Sequence, residues 1–144
     1  MTISTVIENP GFELGDSGWD KGANVTIGTS VPGLSTTART GSYFAGCHSS
    51  TGGSYETYVW NQNKAGVVAG QAITARCWGS GSGHDGNAIA VRLEWTDESG
   101  GVLLTSVGEE TPWNSPSGWY ESTVSAVAPT GAAYVRIGAF MRVR

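Results

Sequence analysis

The sequence predicts an all-β protein, an antiparallel β-sandwich of the jelly-roll kind. Charged residues make up 14% of the 144 residues, and 22 residues are glycine; soluble domains usually contain roughly 25% charged residues. Apolar side chains recur at every second position in short runs, which glycine, serine, asparagine, aspartate and proline separate. Such alternation indicates half-buried strands joined by turns, because successive side chains on a strand point to opposite faces.

Nine runs of this kind predict strands, and their number favours two packed sheets over one sheet flanked by helices. No internal repeat or long linker divides the chain, whose length is typical of one domain, so a single domain over residues 1–144 is expected. The predicted strands are Ile3–Ile7, Asn24–Thr29, Ser42–His48, Tyr55–Gln62, Ala72–Trp78, Ala88–Thr96, Val102–Val107, Trp119–Ala126 and Ala133–Val143.

Alternation within the runs also assigns side chains to the two faces of each sheet. Burial of the inward apolar side chains, at about 25 cal/mol per Å², would hold the two sheets together. Arg136 and Arg142 alternate with the inward set and are expected to face water. The predicted core comprises Ile73, Ala75, Cys77, Ile89, Val91, Leu93, Trp95, Val135, Ile137, Ala139 and Met141.

The outward side chains of three predicted strands combine aromatic rings with charged groups. A sugar ring presents an apolar patch of C–H groups that stacks on an aromatic face, while its hydroxyls need polar partners nearby. If the three strands share a sheet, they form a concave face that binds sugar. The candidate sugar-binding residues are Tyr58, Trp60, Arg76, Trp78, Arg92 and Glu94.

Each candidate also has a structural interpretation that involves no ligand. Trp60 and Trp78 are as consistent with packing in the protein as with stacking on a sugar. The ordinary role of a strand carboxylate such as Glu94 is a solvated charge. Trp95 shares a face with Leu93 and is expected in the core.

Charge and motifs exclude several classes of function. The net charge is −4, the isoelectric point is near 5.0, and the eight lysines and arginines form no cluster. Neither nucleic acid nor an anionic membrane surface is therefore an expected partner, and no apolar stretch is long enough to span a bilayer. No nucleophile elbow, phosphate-binding loop or catalytic carboxylate pair stands out, so no enzymatic activity is expected.

The two cysteines, Cys47 and Cys77, both lie in apolar, strand-like surroundings. Two cysteines are too few for a disulfide scaffold, and these lack the spacing of metal ligands. Two interpretations remain open, a pair of buried free thiols and a single disulfide bridge. The distance between the two residues in the fold decides between them.

Segments along nearly the whole chain share one family pattern, which opens with the run from Ile7 to Glu13. The segments are Ile7–Glu13, Gly18–Trp19, Thr40–Phe44, Gly70–Arg76, Ala90–Trp95, Asp97–Gly101, Gly118–Tyr120, Val127–Ala132 and Tyr134–Ile137. In this order they resemble the carbohydrate-binding modules of the family 4/9/22 type. That resemblance implies a galactose-binding-domain-like jelly roll without catalytic residues.

The end of the chain departs from the family pattern. Members usually finish with one more strand, which pairs with the first strand and carries acidic or amide residues that help hold a structural calcium ion. Here the sequence stops at Arg144, so the final strand is expected to be missing. The resemblance leaves Glu13 as a candidate calcium ligand with too few partners, since calcium takes 6–8 oxygens, and it implies a sheet edge that another subunit completes.

Two functions of different classes follow from these observations. The first is a virion surface protein, such as a capsid decoration, head fibre or tail adhesin, because bacteriophages reuse jelly rolls of this kind. Met1 is followed by neither the basic nor the apolar region of a signal peptide, which favours this interpretation. Its partners would be other virion proteins or further copies of the chain.

The alternative is a carbohydrate-binding module excised from a secreted enzyme that degrades polysaccharides. Such a module would be extracellular and would bind a cell-surface or plant-type polysaccharide. Retention on a glycan would distinguish it from a protein that only joins other virion proteins.

Overall fold

The computed structural model describes residues 7, 9–31, 38–48, 53–80, 87–111 and 118–143, and these residues form ten strands. Across these ranges there is no helix, and so none with the length and hydropathy that a bilayer span requires. The strands are β1 (Trp19–Lys21), β2 (Val25–Gly28), β3 (Phe44–Cys47), β4 (Tyr55–Asn61), β5 (Ala65–Gly66), β6 (Ala72–Gly79), β7 (Ala88–Thr96), β8 (Val102–Val107), β9 (Tyr120–Val127) and β10 (Tyr134–Val143).

The predicted fold class is confirmed, and eight of the nine predicted strands correspond to β2, β3, β4, β6, β7, β8, β9 and β10 within two residues. The ninth, Ile3–Ile7, lies outside the described residues except for Ile7. The alternation pattern did not reveal β1 and β5, because strands of three and two residues are too short to show a period.

All strand pairs are antiparallel. The large sheet has the order β1–β4–β10–β7–β8, and β5 also pairs with β10. Two small sheets, β2–β3 and β6–β9, contribute apolar side chains to the two clusters that cover one face of the large sheet. We call that covered face the inner face of the large sheet, and the opposite one its outer face.

The core lies between the inner face and the β6–β9 sheet. Val91, Leu93, Trp95 and Val135 have no exposed surface, and Leu93 lies opposite Ile137 in the β7–β10 register. The indole Nε1 of Trp95 donates to Ser106 Oγ at 3.0 Å, which satisfies the only polar group of that buried ring. The core expected from alternation is therefore confirmed for its central members.

The edge of β7 beyond the end of β8 is closed by side chains instead of a strand. Val91 N donates to Ser122 Oγ at 3.0 Å, and Ile89 N donates to Thr111 Oγ1 at 3.3 Å. Ser122 is fully buried and in turn donates to the carbonyl of Glu109. Buried amides without a partner are costly. Ser122 satisfies one of them from β9 and so joins that strand to the large sheet, whereas Thr111 acts from the segment after β8.

A hairpin loop, Asp97–Gly101, joins β7 to β8. Asp97 Oδ1 accepts hydrogen bonds from Ser99 N, Ser99 Oγ and Gly101 N. These hydrogen bonds stabilise the ionised carboxylate, and they thereby hold the pKa of Asp97 below its usual value. Gly100 adopts a φ of 90°, which favours glycine at this turn.

Both cysteines are free and partly buried, so the interpretation as free thiols is confirmed and the disulfide bridge is not formed. Cys47 packs in the cluster under β2–β3, with its Sγ 3.8 Å from Met141 Sδ, whereas Cys77 packs against the other cluster. Burial raises the pKa of Cys77 to about 12 and also raises that of Cys47. The thiolate is the reactive form, so these shifts favour the protonated, less reactive form of both side chains.

We expect Leu93→Ala to lower the free energy of unfolding by about 2–5 kcal/mol, because it leaves a cavity in a fully buried position. Leu14→Ala is the matched control. The Leu14 side chain is 73% exposed, so its truncation should change the free energy by less than about 0.5 kcal/mol. Urea unfolding of both variants measures the difference, and equal losses would contradict the core described above.

Candidate functional site

The six candidate sugar-binding residues lie on two different sheets. Tyr58 and Trp60 of β4 share the large sheet with Arg92 and Glu94 of β7, and β10 runs between those strands. Arg76 and Trp78 belong to β6, which pairs with β9 in a small sheet. The single face that the sequence predicted therefore separates into two surfaces.

The register of β10 organises the outer face of the large sheet. Trp60 and Arg92 lie on either side of Gly138, and the next row places Phe140 beside Tyr58. Adjacent residues in such rows have Cα atoms about 4.5–5.5 Å apart. The outer face thus carries aromatic and charged side chains from three neighbouring strands within one small area.

Trp60 is on the outer face, but its ring is buried, with 7% of the residue exposed. A Cβ at Gly138 would come within 2.5 Å of Trp60 Cε3, so the ring packs against this glycine. The Arg136 guanidinium lies over the ring, 4.5 Å from its centroid. A sugar cannot stack on Trp60 unless Arg136 moves.

The arginines of β10 lie over the aromatic rings instead of extending into water. This corrects the expectation for Arg136 and Arg142, whose side chains are only 22% and 19% exposed. Arg136 Nε donates to Glu94 Oε1 at 2.6 Å, and it thereby holds a carboxylate that is also largely buried. Removal of one partner from such a pair is strongly destabilising.

Arg142 forms the second ion pair of the outer face. Its two terminal nitrogens donate to the two oxygens of Glu110 at 2.8 and 2.9 Å. This two-pronged hydrogen bond raises the pKa of the Arg142 guanidinium. The guanidinium also lies 5.9 Å from the Phe140 ring centroid.

Arg92 differs from the other two arginines of the outer face. Its guanidinium carbon lies 4.2 Å from the Phe140 ring centroid, within the range of a cation–π interaction. No carboxylate in the described part of the chain pairs with it. Its Nε is buried without a hydrogen-bond acceptor. The side chain is half-buried.

Tyr58 provides an open aromatic ring on the outer face, with 43% of the residue exposed. Its backbone carbonyl accepts a hydrogen bond from Gly22 N at 2.8 Å. A Cβ at Gly22 would lie 3.1 Å from Tyr58 Cδ1 and Cε1, so this glycine allows the ring to rest against the backbone. The result is an oriented ring that is accessible from solvent.

A second surface lies around Trp78, which is 39% exposed. The Arg39 guanidinium lies 3.7 Å from the centroid of its ring. Beside it is a cavity of about 250 Å³ whose aromatic lining comprises Phe12, Trp19, Tyr43, Phe44, Trp78 and Trp119. The volume is below the roughly 300–1,000 Å³ of most ligand pockets, and core residues of the inner face also line it.

Glu13 binds backbone amides in the structure. Its Oε1 accepts hydrogen bonds from Ser42 N at 2.9 Å and Tyr43 N at 3.0 Å. Within the described ranges no three acidic, histidine or cysteine side chains come together in a way that could hold a metal ion. In the described part of the chain the Glu13 carboxylate holds the turn before β3, and its role as a calcium ligand stays a prediction.

Gly41 makes this contact between Glu13 and the turn possible. Its φ is 64°, a left-handed conformation that suits glycine. A Cβ there would also clash with the Glu13 carboxylate. A substitution at Gly41 would therefore disturb both the backbone and the clamp.

Sequence reasoning missed several residues of the outer face, above all Phe140. The same alternation that placed Ala139 and Met141 inside puts Phe140 on the side of Arg136 and Arg142. An aromatic residue between two outward arginines was therefore a visible signal. Asp20 and Gln62, which hydrogen-bond each other at 2.9 Å, gave no such signal.

Comparison with protein-family models finds no match, and comparison with curated proteins finds none. Among solved structures, the chain is similar to the enzymatically active domain of tailspike protein 4 from bacteriophage CBA120. The TM-score is 0.65, with 16% identity over 95% of this chain, which spans only 19% of the tailspike chain.

The chain is also similar to carbohydrate-binding modules over nearly their whole length. For TmCBM61, in complex with β-1,4-galactotriose, the TM-score is 0.61, with 19% identity over 99% of this chain and 90% of that one. For a second module of family 16 the TM-score is 0.57, with 15% identity over 96% and 95%. These similarities establish a β-sandwich jelly roll like that of carbohydrate-binding modules.

We expect Arg136→Gln to lower the free energy of unfolding by roughly 3 kcal/mol, because it leaves the Glu94 carboxylate, 13% exposed, without its cation. Arg76→Gln is the control, since Arg76 is exposed and forms no ion pair among the described residues. Urea unfolding measures both. Addition of Glu94→Gln to Arg136→Gln should restore part of the loss, and equal effects of the two single variants would contradict the assignment.

Proposed function

We propose that this chain is a non-catalytic carbohydrate-binding module that binds sugar on the outer face of its large sheet. The observation that carries this proposal is the exposed ring of Tyr58 on the same face as the Arg92 guanidinium, with Phe140 between them. The ring would stack on the C–H patch of a pyranose. The guanidinium would donate hydrogen bonds to its oxygens.

The rigidity of the outer face supports this proposal. Two of its three arginines are held by carboxylates at 2.6–2.9 Å, and the sheet register orients the aromatic rings. A sugar that binds a preformed surface does not have to order the side chains that it contacts, which lowers the entropic cost of binding. Such a preformed surface suits the binding of a ligand, and binding does not require a nucleophilic side chain.

The similar solved structures support the same class of ligand. Two of them are carbohydrate-binding modules, and one of these was solved with β-1,4-galactotriose. The chain spans 90% and 95% of those modules, so the similarity involves whole modules. The proposed site contains fewer residues than the sequence predicted. It includes Tyr58, Arg92 and Glu94, whereas the buried ring of Trp60 packs beside them and does not contact the sugar.

We expect Tyr58→Ala to weaken glycan binding at least about tenfold, equivalent to about 1.4 kcal/mol, because the stacking ring is lost. Tyr120→Ala is a matched control, since Tyr120 is 44% exposed against 43% for Tyr58 but lies on β9 of a small sheet. Affinity electrophoresis in gels with embedded polysaccharides compares the two variants with the parent protein. Equal retention of Tyr58→Ala and the parent would place any sugar site elsewhere.

A second candidate function is that of a virion surface protein, a capsid decoration, head fibre or tail adhesin. The specific observation in its favour is the similarity to a domain of a bacteriophage tailspike protein. In that role the chain would be at the virion surface, whereas the excised module would be extracellular. Both roles are compatible with sugar binding, since a virion adhesin also contacts the surface of a cell.

The virion role would need protein partners, and β8 offers a surface for them. This strand is at the edge of the large sheet and contains no charged residue. Its exposed apolar side chains are Val102, Leu103, Leu104 and Val107. An uncharged apolar edge is suited to pairing with another chain, either a second copy or another virion protein.

For the virion role we expect mass spectrometry of purified particles of the encoding phage to detect peptides of this chain in stoichiometric amounts. Sedimentation of the isolated protein should show self-association that increases with concentration. A chain that is absent from particles and monomeric throughout would contradict this role. Such a result would leave the carbohydrate-binding proposal intact.

A further inference from the structure

We propose that the outer face binds an acidic carbohydrate, such as a glycan that contains uronic acid, and that Arg92 binds its carboxylate. This inference rests on the proposed carbohydrate-binding function and specifies the class of sugar. The observation behind the inference is that Arg92 is the arginine of the outer face that no carboxylate of the described residues neutralises.

The ion pairs of the outer face single out Arg92. Arg136 is paired with Glu94 and lies 4.0 Å from Asp20, and Arg142 is paired with both oxygens of Glu110. Arg92 has neither an ion pair nor a hydrogen bond among the described residues. A half-buried guanidinium has lost part of its hydration, and a carboxylate supplied by a ligand would compensate for that loss.

The position of the guanidinium leaves its hydrogen-bonding edge available. The guanidinium carbon lies over the Phe140 ring at 4.2 Å, and no N–H group of the side chain donates a hydrogen bond within the described residues. The buried nitrogen without an acceptor is Nε, so the terminal nitrogens are the ones that reach solvent. The fork that these nitrogens form matches the two oxygens of a carboxylate.

The distance to Tyr58 suits an oligosaccharide. Phe140 lies beside Tyr58 in the β4–β10 register, and Arg92 lies over Phe140 from β7. The two strands are separated by one strand, which corresponds to about 9–10 Å. A sugar stacked on Tyr58 can therefore extend its own substituent, or the next residue of the chain, towards the guanidinium.

The remaining carboxylates of the outer face do not compete for Arg92. Glu94 and Glu110 are held by Arg136 and Arg142, and Asp20 accepts a hydrogen bond from Gln62. Glu56 is exposed and lies beside Arg142 in the β4–β10 register. Because the whole chain carries a net charge of −4, attraction of an acidic glycan would depend on this local contact and not on long-range steering.

The test compares acidic and neutral sugars on the same protein. A glycan array with uronate-containing, sialylated and neutral oligosaccharides identifies the class. Isothermal titration then uses oligogalacturonate, or the acidic glycan that the array selects, against β-1,4-galacto-oligosaccharide of equal length. We expect the parent protein to bind the acidic sugar at least about tenfold more tightly than the neutral one, and this preference should fall as salt is added.

Two variants of Arg92 separate the contributions of charge and hydrogen-bond geometry, and a third variant is their control. Arg92→Gln should reduce acidic-sugar binding by about tenfold or more and should reduce neutral-sugar binding by much less, because only the acidic sugar loses an ion pair. Arg92→Lys keeps the charge without the fork and should fall between Arg92→Gln and the parent. Arg76→Gln removes an exposed arginine of a different sheet and should bind like the parent. Circular dichroism and thermal melting check that each variant is folded.

The outcomes distinguish this inference from the function on which it rests. Equal binding of acidic and neutral sugars by the parent, or an equal loss of both in Arg92→Gln, would overturn the acidic specificity and keep carbohydrate binding. Absence of binding to any glycan on the array would overturn both. If Arg92→Gln does not fold, the parent's sugar preference and the behaviour of Arg92→Lys decide the question.

Discussion

The antiparallel pairing of β10 with both β4 and β7 is the constraint on which the rest of the structure depends. It places Val135 and Ile137 on the inner face, where they pack with Leu93 and Trp95. Because side chains alternate along a strand, the same register places Phe140 and the arginines of β10 on the outer face. The core and the candidate site are therefore opposite faces of the same three strands.

The outer face shows how a sheet can keep large aromatic rings without presenting them all to solvent. Trp60 packs against Gly138 because that position has no side chain, and the Arg136 guanidinium lies over the same ring. The Arg92 guanidinium likewise lies over the Phe140 ring. These stacks hold the guanidinium groups in place, so the face combines an open Tyr58 ring with rigid, directed hydrogen-bond donors.

The sequence predicted the fold more completely than the candidate site, for a physical reason. Alternation reports burial directly, so it identified β7, β10 and their core residues, and it placed Tyr58 and Arg92 on an outward side. It does not report which strands are neighbours, so it could not show that Arg76 and Trp78 belong to a different sheet. Nor could it show that an arginine would cover the ring of Trp60, because that contact joins β10 to β4 across long sequence separation.

The sequence by itself determined the all-β class and the inward positions, because each depends on local pattern and residue chemistry, whereas the free state of the two cysteines came from their places in the fold. Only the tertiary structure decided which outward residues meet, since strand order brings together side chains from β4, β7 and β10 that are up to about eighty positions apart. The tertiary structure also decided which arginines are neutralised. Ion pairs such as Arg136 with Glu94 depend on register, and no periodic pattern along one strand encodes the register of its neighbour.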